Sequence, residues 1–442
     1  MTASLIICDH PDQMRSPRVC EHLLTDGYGE YYQRFTERGT DHDLICETCR
    51  ADLRSVDAHV HTVCPPCLQR IKGRWYRAGF TGHLPTPERR TNLSFAHTTV
   101  DLRGLLLECI VALAPLDRLP GHDWVVLTAN GALLRLDLLT TTVTTLAQVR
   151  MSLLAERVTL RLSPDGRFAA VANTYGCHGS VFDLETGEDT MRLCRDAGEN
   201  EVSAFPVDFF VHQGRSLLIH GTEWNRLDIS DPATGNLLTG RELAAPNGQG
   251  TELPHYLDYF HCGLTVSPDG TWIADNGWVW HPVGMVTTWN LRRWIDENVW
   301  ESEDGPTRRD LCDQDDWDKP LCWLDGQTLA VWGYRGPDLP SIRVFDVTSG
   351  REVRSFIGPL GELVYDTYLF SFASEPGVTV WDVKTGERLL RDDTFLPVGY
   401  HHGARRFVTV RPNGLFQVSR LLGSSDNTGS TGGSSTRFGH WN

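Results

Sequence analysis

The chain has 442 residues, 40% of them hydrophobic and 22% charged, and a formal net charge of −16. That length exceeds one ordinary core and suits two or three domains, unless one of them is a large closed all-β fold. No run approaches the roughly 18 apolar residues needed to span a bilayer, and the opening MTASLIICDHPDQMRS has too short an apolar stretch and no basic lead-in for a secretion signal, so a cytoplasmic protein is expected.

Residues 1–90 hold twelve basic and twelve acidic residues, which leaves the whole acidic excess on the remainder. An acidic body repels phosphate backbones and argues against general nucleic-acid binding there. Only Lys72, Lys319 and Lys384 are lysines among 41 basic residues, a bias that suggests a GC-rich, bacterial genome.

Residues 1–77 read as a small zinc-binding module. Cys46-x2-Cys49 and Cys64-x2-Cys67 are separated by fourteen residues, and two such knuckles present four thiolates to one tetrahedral Zn²⁺. With all four positions filled by protein, the metal is expected to be structural. The alternative is four ordinary cysteines or two disulfides. Upstream, Cys8/His10 and Cys20/His22 repeat a Cys-x-His pattern of suitable zinc donors and suggest a second site. The competing readings are that His42, His59 or His61 replaces one of these pairs, or that no second metal exists. A module this small needs such a staple, because metal-binding energy becomes folding energy. The segment CLQRIKGRWYRAGF has helical spacing and sets Arg70, Lys72, Arg74 and Arg77 beside Trp75 and Tyr76, a pattern suited either to nucleic acid or to packing the module onto the next domain.

Residues 78–95, with Pro85 and Pro87, read as a linker. From about Arg103 to Leu422 one pattern recurs: a β-rich run, a turn, and two further runs, marked by an apolar-Asp-apolar step before a turn. The markers are Asp137, Asp183, Asp228, Asn290, Asp346 and Asp382, with successive gaps of 46, 45, 62, 56 and 36. An Asp that ends a strand accepts hydrogen bonds from the turn backbone, and the Gly after Thr or Ser reverses the chain. SPDG, at Ser163–Gly166 and again at Ser267–Gly270, supplies turns of the same kind.

A repeat near 45 residues built of strands and turns is the mark of propeller blades. VFDVTSG, VWDVKTG and the SPDG turns resemble WD40-type repeats, over roughly three quarters of the chain. The expected fold class is therefore all-β: a seven-bladed WD40-like β-propeller over residues 96–422, preceded by the small zinc-binding module. Within the repeats only Gly121-His122 gives the Gly-His pair of that family, and only Trp381-Asp382 sets the full Trp-Asp dipeptide at a repeat marker. The final repeat is a strand short, and Ala96–Leu102 is expected to complete it against Arg406–Leu422, burying edges that an open sheet leaves unpaired. Residues 423–442 read as a flexible Gly/Ser-rich tail.

No Walker-type phosphate loop, G-x-S-x-G, H-E-x-x-H or G-x-G-x-x-G motif occurs, and DQDDWD lacks the Gly and Glu of a calcium loop. The leading function is a protein-interaction scaffold or adaptor, not an enzyme. One alternative is a nucleic-acid-binding regulator acting through the zinc module. Another is a hydrolase or lyase in the propeller channel, using some of His255, His261, His281, His401 and His402. The partner surface is expected around the insertion Arg292–Lys319. Between Asp296 and Asp318 ten acidic residues stand against two arginines, and Trp294, Trp300 and Trp317 add apolar area, so a basic, partly apolar protein partner is expected, without a membrane.

Overall fold

The computed structural model describes residues 18–24, 29–35, 42–52, 58, 60–63, 71, 75–82, 87–103, 109–117, 122–153, 158–196, 202–242, 254–280, 283–314, 317, 319–335, 339–359, 361–373, 377–411 and 414–423. Among these the chain is dominated by strands, arranged as one five-stranded sheet followed by seven smaller ones.

The five-stranded sheet runs, edge to edge, Val60–Thr62, Arg18–Cys20, His42–Ile45, Gly29–Phe35 and Trp75–Gly82. Arg18–Cys20 is parallel to His42–Ile45, and Gly29–Phe35 is parallel to Trp75–Gly82. The segment expected as a helix at 67–80 thus contributes a strand from Trp75 onward, where β-favouring Trp, Tyr and Phe find a partner edge. The core comprises Val19, Leu23, Leu24, Leu44 and Ile45 together with three cysteines. Buried Asp43 sits between two guanidiniums: Arg18 donates to both its oxygens at 2.8 Å, and Arg34 Nη2 donates at 2.7 Å.

Beyond residue 94 each sheet is an antiparallel meander. The first is Ile110–Leu116, Asp123–Thr128, Ala132–Asp137 and Thr142–Gln148. Sheets of the same plan occupy residues 158–194, 260–314, 321–357 and 362–392, and residues 207–230 form a three-stranded one. The second strand Asp123–Thr128 is buried throughout, as its apolar run Trp124–Leu127 requires. First strands lie side by side in series. Ile110–Leu116 neighbours Val158–Leu162, the series continues through Glu362–Asp366, and Gly399–His401 returns to lie beside Ile110–Leu116. The succession is consistent with a β-propeller.

The last sheet is completed from the other end of the chain. Ser94–Asp101 pairs antiparallel with Leu415–Leu422 along its full length, the closure expected from the missing strand. Residues just before it are docked as well, although the sequence reads there as a linker. The Arg388 N–H donates to Pro87 O and the Arg89 N–H to Arg388 O, and Arg89 Nη2 donates to Asp382 at 2.7 Å. The outer edge of strand Glu387–Asp392 is the template that orders this segment.

Asp137, Asp183, Asn290, Asp346 and Asp382 each end the third strand of their sheet, while Asp228 lies inside Arg226–Ser230. Asp137, Asp183 and Asp346 each accept two backbone N–H groups of the following turn, and Asp382 accepts the Lys384 N–H. Asn290 instead caps the helix Leu291–Asp296 by accepting the Arg293 N–H. Asp228 is drawn into a buried cluster, accepting hydrogen bonds from Arg241 Nη1 and the Thr222 hydroxyl at 2.7 Å each and forming an ion pair with the Arg226 guanidinium.

Candidate functional site

Cys20 ends the strand Arg18–Cys20, and the next residues turn tightly through the short helix Glu21–Leu24, which carries His22. Cys46 follows the parallel strand His42–Ile45 and stands at the start of helix Glu47–Ala51, which carries Cys49. Two similar strand-turn units, VCEH and ICETC, therefore lie side by side. Their donor atoms, from Cys20, His22, Cys46 and Cys49, all lie within 4.8 Å of one another. Cys49 Sγ is 3.3 Å from His22 Nδ1, and the Cys46 N–H donates to Cys20 Sγ at 3.4 Å. The three sulfurs are buried and the imidazole is exposed.

Three thiols and an imidazole in one small volume are a soft, four-membered donor set of the kind that suits a tetrahedral ion such as Zn²⁺. Burial, then the nearby Cys20 and Cys46 sulfurs, pushes the Cys49 thiol up to about 12. Burial also raises the Cys20 thiol, against the hydrogen bond from the Cys46 N–H. The thiols thus oppose one another's ionisation, and a divalent cation removes that conflict.

The grouping takes one pair from each of the two sets expected from sequence. Cys46 and Cys49 meet Cys20 and His22, while Cys8, His10, Cys64 and Cys67 lie outside the described residues. Pairwise spacing picked out these four residues but not that they come together. The resemblance between VCEH and ICETC, each a strand end followed by a turn, was the available signal.

The insertion after Asn290 is folded rather than a free acidic loop. Helix Leu291–Asp296 lays Trp294 into the core at 0% exposure, with its indole N–H donated to Val299 O, so Trp294 has no exposed face for a partner. Glu301 and Glu303 are buried too. Glu301 accepts the Thr307 N–H at 2.8 Å, and Glu303 pairs with the buried guanidinium of Arg241. Trp300 is half-buried, stacked on His255 with ring centroids 4.2 Å apart and facing the Arg241 guanidinium.

Trp317 joins a row of aromatic rings. Trp224 packs on Phe260 at 4.6 Å, Phe260 stacks on Trp278 at 3.9 Å, and Trp278 stacks on Trp317 at 4.9 Å. The row is pinned by indole N–H groups, Trp278 donating to Ser203 Oγ and Trp317 to Val202 O. Gly277 is required beside it, since a Cβ there would stand 2.1 Å from Phe260 O. The end members Trp224 and Trp317 are half-exposed, and Glu223, Asp258 and Asp313 are exposed close by in sequence to members of the row or to Trp317.

The histidines considered for a channel site are dispersed. His261 pairs with Asp275 at 2.5 Å and His401 with Asp117 at 2.8 Å, while His255 reaches Asp304. His402 is exposed, and His281 lies outside the described residues. A cavity of about 410 Å³ between the first strands of neighbouring sheets is lined by aliphatic side chains with Thr159 and Arg161, and, among the described residues, by no His, Asp or Glu. It does not offer the paired acid and base that hydrolysis requires.

No family model matches the chain, and no curated protein matches it. Among solved structures, a chain of the one titled "Crystal Structure of Mitotic Checkpoint Complex" is similar over 77% of this chain and 95% of that one, at 14% identity and a TM-score of 0.46. A likeness that remote leaves the functional argument to the chain's own sheets and side chains.

Proposed function

We propose that this chain is a protein-interaction scaffold. In this reading residues 94–422 are a seven-bladed β-propeller, residues 1–82 a module stapled by one structural Zn²⁺, residues 83–93 the connection and residues 423–442 a tail. The metal is held by Cys20, His22, Cys46 and Cys49; four protein donors leave no open position for chemistry. The partner surface is the aromatic row ending in Trp224 and Trp317, with Glu223, Asp258 and Asp313 around it, and the partner offers a basic, partly apolar face.

The observation that carries the reading is the pinned row of four rings. Tryptophan held rigid at a partly exposed position loses little entropy on binding and is favoured at interface centres. The flanking carboxylates select a basic partner mainly through encounter rate and exclusion of acidic ones. The test is affinity recovery from native lysate with the full chain and with Trp317→Ala and Glu223→Lys. A stoichiometric basic partner lost in both variants, with circular dichroism unchanged, supports the proposal. Equal recovery by all three proteins, or no partner at all, overturns it.

A further inference from the structure

A second site, independent of that surface, lies where the closing strand meets the first sheet. A cavity of about 220 Å³ is lined by Thr98 and Val100 of Ser94–Asp101, by His122 and Trp124 of the first sheet, and by His401 and Arg406 of the last. His401 is 1% exposed. Its Nδ1 lies 2.8 Å from Asp117 Oδ1, which also accepts the Gly403 N–H at 3.0 Å. The Ala404 N–H approaches the same nitrogen less closely, at 3.1 Å. At the shorter separation a proton must stand between nitrogen and carboxylate, so Nδ1 is the donor and Asp117 fixes the ring. The opposite edge is not satisfied: His401 Nε2 is buried and has no hydrogen-bond partner among the described residues. A buried polar atom in that condition is destabilising unless something supplies a partner.

Trp124 packs edge-on against the imidazole at 5.6 Å and holds its plane. Arg406 is half-buried, and among the described residues no carboxylate pairs with its guanidinium. No acidic side chain among the described residues lines the cavity; the rest of the wall is apolar, with Leu138, Val408 and Val418 among its members. The site thus combines an unmatched cation, an unpartnered imidazole edge and an aromatic wall. Its volume is below the roughly 300–1,000 Å³ of drug-sized pockets, which limits the ligand to on the order of ten heavy atoms.

We propose that this cavity binds a small monocarboxylic acid with an aromatic or branched apolar body. One carboxyl oxygen of the ligand meets the Arg406 guanidinium, and the acid's own proton stands between the other oxygen and His401 Nε2. The apolar body packs on Trp124, Val408 and Val418. Burial alone would raise the Asp117 carboxyl, but the hydrogen bonds from His401 and from the Gly403 N–H hold it below the usual carboxylate range, so it remains the acceptor that fixes the ring.

The experiment is isothermal titration of the full chain with phenylacetate, with its uncharged analogue phenylacetamide and with inorganic phosphate. Phenylacetate is expected to bind at least tenfold more tightly than either, and Arg406→Gln to weaken it at least tenfold. Phenylacetate that fails to bind at millimolar concentration, or that binds no better than phenylacetamide, overturns the proposal. These wild-type comparisons decide the matter even if Arg406→Gln fails to fold; a folded variant that binds equally well also overturns it.

Discussion

The sheet of residues 18–82 and the sheets beyond residue 94 bury their side chains by different means. In the first, one cluster of eleven buried residues is all the described core, and three of the eleven are cysteines. In the second, clusters cross from sheet to sheet: Val125 and Leu133 of the first sheet pack with Ala169 and Phe182 of the next, and Phe210 and Ile219 pack with Ile273 and Trp289. A sheet covered on both faces by its neighbours needs no outside help, while a small sheet with one thin core does. Loss of a cross-link should therefore be felt in the first region, and loss of a sheet edge in the second.

The sharpest way to break this contrast is to disable the proposed zinc site. Purified full-length protein is expected to hold one Zn²⁺ per chain, and Cys49→Ser should unfold residues 18–82 while the main melting transition stays in place. The energy at stake is about 10–16 kcal/mol in zinc-stapled peptides, more than a sheet of this size supplies for itself. Cys64→Ser should leave zinc content unchanged if the described grouping is complete. Elemental analysis with hydrogen exchange reads both outcomes; zinc lost from Cys64→Ser would restore the four-cysteine arrangement.

The second effect in size concerns the closing strand. Deleting residues 1–102 removes Ser94–Asp101 along with buried Leu102 and half-buried Phe95 and Val100, a loss on the order of 5 kcal/mol from apolar burial alone. Deleting residues 1–86 spares the strand and the docked Pro87–Thr91 segment, and should leave the main transition unchanged. Equal melting of the two truncations would place the closure elsewhere.

These two regions also differed in how far they could be read from sequence. The repeats were legible because four of the sheets end their third strand with a turn-capping Asp, at Asp137, Asp183, Asp346 and Asp382, and the closing strand because the last repeat came up one short. Residues 87–91 were not, because Pro85 and Pro87 read as linker, and the ordering edge at Arg388 is some 300 residues away. Nor was the folding of the 291–308 insertion, since Glu301 and Glu303 look solvated until Thr307 and Arg241 are seen against them. Local patterns report local turns; the partner of a buried charge is set by tertiary packing, as Asp228 shows beside Asp137.

Arg241→Ala tests that last point. Arg241 and both its carboxylate partners, Asp228 and Glu303, are almost fully buried, so removing the cation leaves charge stranded and should cost about 3–5 kcal/mol. Arg241→Met combined with Glu303→Leu should recover much of that loss, because replacing an ion pair by apolar groups of similar size is often near neutral. A single variant that melts like the parent would mean that Arg226 and the threonine hydroxyls suffice for Asp228.

The smallest expected effect belongs to a turn that follows the ordinary repeat plan. Asp183 accepts hydrogen bonds from Arg167 Nη2 at 2.8 Å and from the N–H groups of Glu185 and Thr186. Burial by itself would raise its carboxyl, but the Arg167 bond and the turn N–H groups outweigh burial and hold it below the usual carboxylate range. A depressed folded-state value means the ionised group stabilises the fold above its unfolded value near 3.9, and that this contribution drains away as pH falls through the folded value. Asp183→Asn keeps one acceptor oxygen and loses the charge, so it should cost about 1–2 kcal/mol at pH 7. The gap between parent and variant should then narrow below about pH 4 as the parent's carboxylate is protonated. Thermal melts of the two proteins from pH 7 to pH 3 measure it. A gap that stays constant across that range would show that Asp183 acts through shape and not through charge, and that the repeat marker is a turn-former alone.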